Sequence, residues 1–197
     1  MIVGGSNAQA QSLTNAVIGH GNGTYEDYWG GDYINWFTDY TFKADQLGSD
    51  PLKAFCVENV EARSFSSYEL VSPFGRVNPI AIKMADRYFY NNSNSGGFSF
   101  TQRDYQLAIW TTLGIIKTLN SGEFKANYLL TKFQWNSYTM TGPVGLAHSP
   151  GADASATAYN SQDFLIGAPV PEPATMLLFG VGLVGLAGVA RRKLKKE

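Results

Sequence analysis

"TQRDYQLAIWTTLGIIKTLNSG", residues 101–122, carries a strong helical period and places a helix within an otherwise strand-forming chain. Thr101 followed by Asp104 has the form of a capping box, in which two side chains satisfy backbone donors at a helix start. Tyr105, Ala108, Ile109, Thr112, Leu113 and Ile116 then recur at helical spacing. The run predicts a helix that begins after Thr101 and is stopped by Asn120-Ser121-Gly122. Gln106 stands beside the stripe of Ile109, Trp110 and Leu113, at i+3, i+4 and i+7, which predicts a partly buried carboxamide.

A second helix is expected just upstream. Asn78-Pro79 suits the N-cap and first helical position, and the helix should run to about Asn91 with Ile80, Met84 and Tyr88 stacked. "NNSNSGG", 91–97, reads as a loop joining the pair. Strands are expected before it. Trp36, Tyr40 and Phe42 share one parity across Tyr33–Phe42. "LKAFCVENV", 52–60, follows the turn signal Gly48-Ser49-Asp50-Pro51. There Leu52, Ala54, Cys56 and Val60 point one way and Phe55 and Val57 the other, as in a strand buried on parts of both faces with Cys56 inward. "SFSSYELV", 64–71, is a further strand. "GHGNGTYEDYWGG", 19–31, reads as a loop, its glycines lacking the strand and helix context of a phosphate-binding motif. Downstream, "FKANYLL" (124–130) fits helix or strand, "KFQWNSYTM" (132–140) reads as strand, and "SPGADASATAYNS" (149–161) as linker. "QDFLIGAP", 162–169, reads as a last strand. The class is α+β: a single β-rich body over 11–148 with a central helical pair, a linker with a final strand over 149–169, and a C-terminal segment of different character.

That segment is "VPEPATMLLFGVGLVGLAGVARRKLKKE", 170–197. Ala174–Ala190 is uncharged over 17 residues, roughly 25 Å of helix against a hydrocarbon core of about 30 Å. Glycines 180, 182, 185 and 188 disfavour a water-exposed helix, whereas bilayers tolerate them. The basic cluster Arg191, Arg192, Lys193, Lys195 and Lys196 resists translocation, so the body should lie on the far side of the inner membrane. Pro171-Glu172-Pro173 cannot be interior helix and forms a rigid, extended, accessible flank. These three parts, in this order, resemble the PEP-CTERM sorting signal. The resemblance implies recognition of Pro171, Glu172, Pro173, Arg191, Arg192 and Lys193 by an exosortase-type membrane enzyme, temporary tethering by one transmembrane helix over 174–190, and delivery to the cell surface or extracellular matrix. At the other end Ala8-Gln9-Ala10 has the small-x-small pattern of a signal-peptidase site, so residues 1–10 read as the remnant of an export signal.

Between these ends, residues 11–169 hold ten Lys/Arg and fourteen Asp/Glu, a net charge near −4, which argues against nucleic acid as a partner. His20 and His148 are the only histidines. Both fall in loop-like segments and read as solvent-exposed rather than as metal ligands. Glu26, Asp27 and Asp32 lack a calcium-loop pattern, and Tyr25, Tyr28, Trp29, Tyr33 and Trp36 read as core before they read as a glycan platform. No catalytic residue, cofactor or metal is expected.

Cys56 is the only cysteine, so an intramolecular disulfide is excluded, and an odd cysteine in an exported protein is either a reactive thiol or one that pairs between chains. A thiol that attacks a side-chain carboxamide expels ammonia and leaves an internal thioester, an electrophile that an amine or hydroxyl can open. An inward Cys56 facing Gln106 would meet that need. Phe-Cys-Val followed by the helical Gln106-x-Ala108-Ile109-Trp110 resembles the thioester-domain (TQxA) surface proteins, which adhere covalently through a Cys–Gln thioester. Over residues 52–115 the resemblance implies a Cys56–Gln106 cross-link supported by Tyr105, Ala108, Ile109 and Trp110. Tyr105 stands where the family has Thr, the separation of 50 residues is short for that family, and Thr101-Gln102 is followed by Arg-Asp. The partner would be an amine-bearing surface ligand or a surface polysaccharide. The alternative is a non-covalent glycan- or matrix-binding protein in which Cys56 is a small buried hydrophobe. An enzyme acting on polysaccharide lacks a convincing acid/base pair.

Overall fold

The computed structural model describes residues 10–21, 24–29, 32–58, 68–91, 97–149 and 162–167, with the backbone alone over 24–29 and 32–36. In chain order the elements are β1 (Gln11–Leu13), β2 (Val17–His20), β3 (Thr24–Trp29), β4 (Asp32–Phe37), β5 (Tyr40–Lys43), β6 (Leu52–Cys56), β7 (Tyr68–Val71), α1 (Pro79–Tyr90), α2 (Gln102–Leu113), α3 (Phe124–Thr131), β8 (Gly145–His148) and β9 (Phe164–Ile166). Seven strands form one sheet in the order β1-β7-β8-β9-β6-β5-β2, and β3 and β4 form a separate pair. Every pairing is antiparallel.

The two expected helices are present. Asn78 caps α1 by accepting from the Ile80 N–H, with Pro79 at the first helical position. The capping box of α2 is complete: the Thr101 hydroxyl accepts from the Asp104 N–H, and the Asp104 carboxylate accepts from the Thr101 N–H at 2.7 Å. The far end of α2 corrects the expectation. The helix stops at Leu113 because Gly114 adopts a left-handed conformation (φ +74°) and its N–H closes back on the last turn. Gly is strain-free there, so the apolar period out to Ile116 outlasts the helix itself.

Three strand readings also change. Tyr33–Phe42 is not one strand: it breaks at Thr38-Asp39 into β4 and β5, which belong to different sheets. Gly21 donates to the Asp39 carbonyl at this break, and a side chain on Gly21 would collide with the Asp39 carboxylate. Residues 24–29, expected as loop, pair with β4 from Thr24↔Phe37 to Trp29↔Asp32; aromatic strand formers inside a glycine-rich frame override the loop signal. Residues 132–140 form turns rather than a strand. Their aromatics instead fold back on α1. Asp86 is fully buried and accepts from the Tyr138 hydroxyl and from the N–H groups of Thr141 and Gly142. The ambiguous stretch 124–130 lies within α3.

β9 falls in the segment expected as linker and last strand, yet it occupies the middle of the sheet between β8 and β6. All three of its residues are fully buried. One face of the sheet packs Phe42 against Tyr68 and Phe164. The other packs Phe55 against Tyr88 and Phe89 of α1 and Tyr105 of α2. β6 therefore has Ala54, Phe55 and Cys56 all buried, as expected for a strand covered on both faces.

Residues 1–9, 92–96, 150–161 and 168–197 lie outside the described residues, as do Phe65 and Val60, so the export remnant, the linker, the sorting-signal residues and the span 174–190 belong to that part of the chain. Among the described residues no helix is long and apolar enough to cross a membrane.

Candidate functional site

Cys56 ends β6, and the register of its neighbours explains what surrounds it. On one side β9 pairs Cys56 with Phe164. On the other, β5 starts at Tyr40, paired with Ala54, so the position opposite Cys56 falls on Thr38, outside the strand. The backbone groups of Cys56 on that side would be left unsatisfied in the interior, at a cost of about 1–3 kcal/mol each. Gln106 fills the gap. Its Oε1 accepts from the Cys56 N–H at 3.0 Å and its Nε2 donates to the Cys56 carbonyl at 2.8 Å. The carboxamide substitutes for a missing residue of the ladder. One helical turn earlier Gln102 does similar work, donating from Nε2 to the Tyr40 and Ala54 carbonyls.

Gln106 is thus brought to Cys56, but to its backbone. The sulfur faces another glutamine. Because β9 runs antiparallel to β6, Gln162 lies diagonally across from Cys56 on the same face of the sheet. The Gln162 Nε2 contacts Cys56 Sγ and also donates to the Glu58 carbonyl at 2.7 Å. The Tyr68 hydroxyl donates to the Gln162 carbonyl and fixes the backbone there. Among the described residues the Gln162 Oε1 has no hydrogen-bond partner.

The thiol donates to the Glu58 carbonyl at 3.1 Å and receives the Trp110 indole N–H at 3.4 Å. It has no exposed surface. Burial pushes the thiol pKa up to about 12, and the indole N–H offsets only part of that shift. Cys56 as a free residue would therefore be neutral and shielded. The remaining predicted support residues are buried too. Tyr105 packs its ring against Phe55, Tyr88 and Phe100, while Ala108 and Ile109 lie in the core.

His148 corrects another expectation. It is not a loop residue but the end of β8, it is nearly buried, and its Nδ1 lies 2.8 Å from Asp163 Oδ2. The other Asp163 oxygen accepts from the Ser149 N–H. His20 is exposed as expected, although it lies on β2 and stacks on Phe37. Among the described residues no group of three or more His, Cys, Asp or Glu could hold a metal ion. The side chains of Tyr25, Glu26, Asp27, Tyr28, Trp29, Asp32, Tyr33 and Trp36 lie outside the described residues.

Comparison with known proteins locates one further functional element. Residues 169–193 match the PEP-CTERM protein-sorting motif. The PEP-CTERM match covers the Pro-Glu-Pro flank, the apolar run and Arg191, Arg192 and Lys193, as the sequence reading expected, and it indicates an exported protein processed by an exosortase. It begins just after the body's last described strand. No curated protein and no solved structure matches the chain, so the likeness to thioester-domain proteins rests on the quoted residues alone.

Gln162 and the His148–Asp163 pair were missed by the sequence reading. Their only local signal is a polar pair directly ahead of the apolar run Phe164–Ile166. Nothing in that signal says which strand β9 will join.

Proposed function

We propose that the body of this exosortase substrate is a covalent surface adhesin whose internal thioester joins Cys56 to Gln162. The observation that carries the reading is the contact between the Gln162 carboxamide and the buried Cys56 sulfur. Formation would proceed by attack of sulfur on the Gln162 carboxamide carbon. The C–N bond breaks, and ammonia leaves with the thiol proton. Burial favours this product. A thiolate is costly to hold in such surroundings, whereas a thioester is neutral and is protected there from hydrolysis. Trp110 packs the sulfur, and Gln106 holds the strand end on which it sits. A nucleophile on a matrix or cell-surface partner would then open the bond and leave a stable covalent link. The sorting signal supports this reading because it indicates export, and covalent attachment outside the cell would resist dilution and shear.

The second reading is a non-covalent matrix protein, favoured by the high pKa of a shielded thiol. The mass of the intact protein separates the two. The thioester predicts a chain lighter by one ammonia, with full mass restored by Cys56→Ala and by Gln162→Ala but not by Gln106→Ala. A wild-type chain of full mass, with a thiol that alkylates once unfolded, sinks the thioester.

A further inference from the structure

We propose that the protein carries a binding groove along α3 that takes a neutral, hydroxyl-rich oligosaccharide chain and involves neither Cys56 nor Gln162. Two cavities adjoin there, and Leu130 lines both. The first, of about 390 Å³, has a floor of Ile80, Leu130, Phe133 and Trp135 and an exposed rim that includes Gln134 and Asn136. The second, of about 490 Å³, sets Phe124 and Leu119 beside the exposed Ser121 and Asn127. Both volumes fall in the range of about 300–1,000 Å³ common to small-molecule sites. Phe124, Asn127 and Leu130 follow at three-residue spacing and so form one ridge along α3, while Ala126 and Leu129 on its other side are buried in the core. Phe124 is 56% exposed, although a phenyl ring gains by burial. It is nonetheless held, because Phe98 packs against it at 5.6 Å and against Tyr128 of the same helix at 5.5 Å. A fixed aromatic ring open to solvent offers its negative face to the C–H side of a sugar ring.

The first cavity is equally fixed. The Trp135 indole N–H donates to the Leu129 carbonyl at 2.6 Å, Lys83 Nζ donates to the Trp135 carbonyl at 2.8 Å, and the Phe133 and Trp135 rings lie 4.3 Å apart. The polar groups then select the ligand. The exposed carboxamides of Asn127, Gln134 and Asn136 each offer donors and an acceptor on one planar group, which suits neighbouring sugar hydroxyls. Among the described residues the first cavity's lining holds no ionisable side chain. The second holds one charge of each sign, Lys117 and Glu123, and Glu123 is engaged with Arg103 at 2.5 and 2.6 Å. With no net charge in the lining, nothing draws an anionic polymer, and a neutral chain is favoured. A lipid tail would strip water from the carboxamides without replacing it. An extended peptide needs a strand edge for its backbone, whereas both cavities are lined by helix, turn and loop residues.

The test is titration calorimetry on the full-length protein. The probes are hexamers of β-1,4-linked glucose, α-1,4-linked glucose and β-1,4-linked N-acetylglucosamine, with polygalacturonate as an anionic polymer and casein as an unstructured polypeptide. At least one neutral hexamer should bind, and more tightly than its own dimer, because the groove spans two cavities. Phe124→Ala and Asn136→Ala, one from each cavity, should each weaken that hexamer about tenfold, the scale of one lost aromatic or amide contact. Both side chains are exposed, so both variants should melt as the wild type does. Phe124→Trp should keep the affinity, because it keeps an aromatic face. Failure of all three hexamers to bind, equal affinity for hexamer and dimer, unchanged binding in both alanine variants, or tighter binding of polygalacturonate or casein overturns the inference. The thioester is read by intact mass and the groove by titration, so either can fail without the other.

Discussion

Gln106 and Gln162 are both buried and both touch Cys56, yet they do opposite kinds of work. Gln106, rising from α2, spends both ends of its carboxamide on the backbone of Cys56. Gln162, leading into β9, directs its carboxamide to the sulfur and to the Glu58 carbonyl, with Oε1 unpartnered among the described residues. The first completes a sheet where a neighbouring strand has run out. The second brings its carboxamide to the thiol, the arrangement the proposed thioester requires. A glutamine beside a cysteine is thus no sign of chemistry until it is known which atoms of the cysteine it meets.

The contrast can be broken by substitution. Gln106→Ala strands two interior backbone groups and should cost about 3 kcal/mol, taken from the penalty for unsatisfied buried groups. Chemical denaturation measures it. Under the proposed Cys56–Gln162 thioester the mass deficit of one ammonia should persist in this variant, so that stability falls while the chemistry survives. A variant that keeps wild-type stability would show that Gln106 does not hold the strand end.

Alkaline pH sharpens the same contrast. Burial raises the phenols of Tyr105 and Tyr138 from 10.0 to about 12, and the free Cys56 thiol from 9.0 to about 12. The folded state holds these protons more tightly than the unfolded chain does. Their stabilisation is complete below about pH 9 and is lost as pH rises towards 12. In a thioester-bearing wild type Cys56 does not titrate. Gln162→Ala, which frees the thiol, should therefore lose stability with pH more steeply than wild type between pH 9 and 12. Identical slopes would argue that the wild-type thiol is also free.

Gly114→Ala gives the smallest expected effect. No atom crowds the position, so only the left-handed backbone opposes the new side chain. The cost should be about 1–2 kcal/mol in thermal melting, with no change in intact mass. A neutral result would mean that the end of α2 is set by packing rather than by this residue.

Much of the local structure was legible because it is written in neighbouring residues. Thr101 with Asp104 specifies a helix start within one turn, and so does Asn78 with Pro79. The sorting signal is equally local: a proline-bounded flank, an apolar run and a basic end. Gly114 was legible only in part, since a lone glycine inside an apolar period also fits an uninterrupted helix. The burial of Cys56 followed from its strand pattern, and so did the burial of Gln106 from its place on the helix.

The pairing of strands far apart in the chain was not written locally. A three-residue strand near the end of the body inserts between β8 and β6, and that placement alone carries Gln162 to a sulfur 106 positions earlier. The same insertion sets Asp163 against His148, turning a residue that reads as a loop histidine into a buried, oriented one. Capping, periodicity and membrane affinity depend on residues within a few turns of one another, so the sequence by itself determined the helix starts and the sorting tail. Which carboxamide meets the thiol depends on sheet order and register, and that was decided only when the distant strands packed.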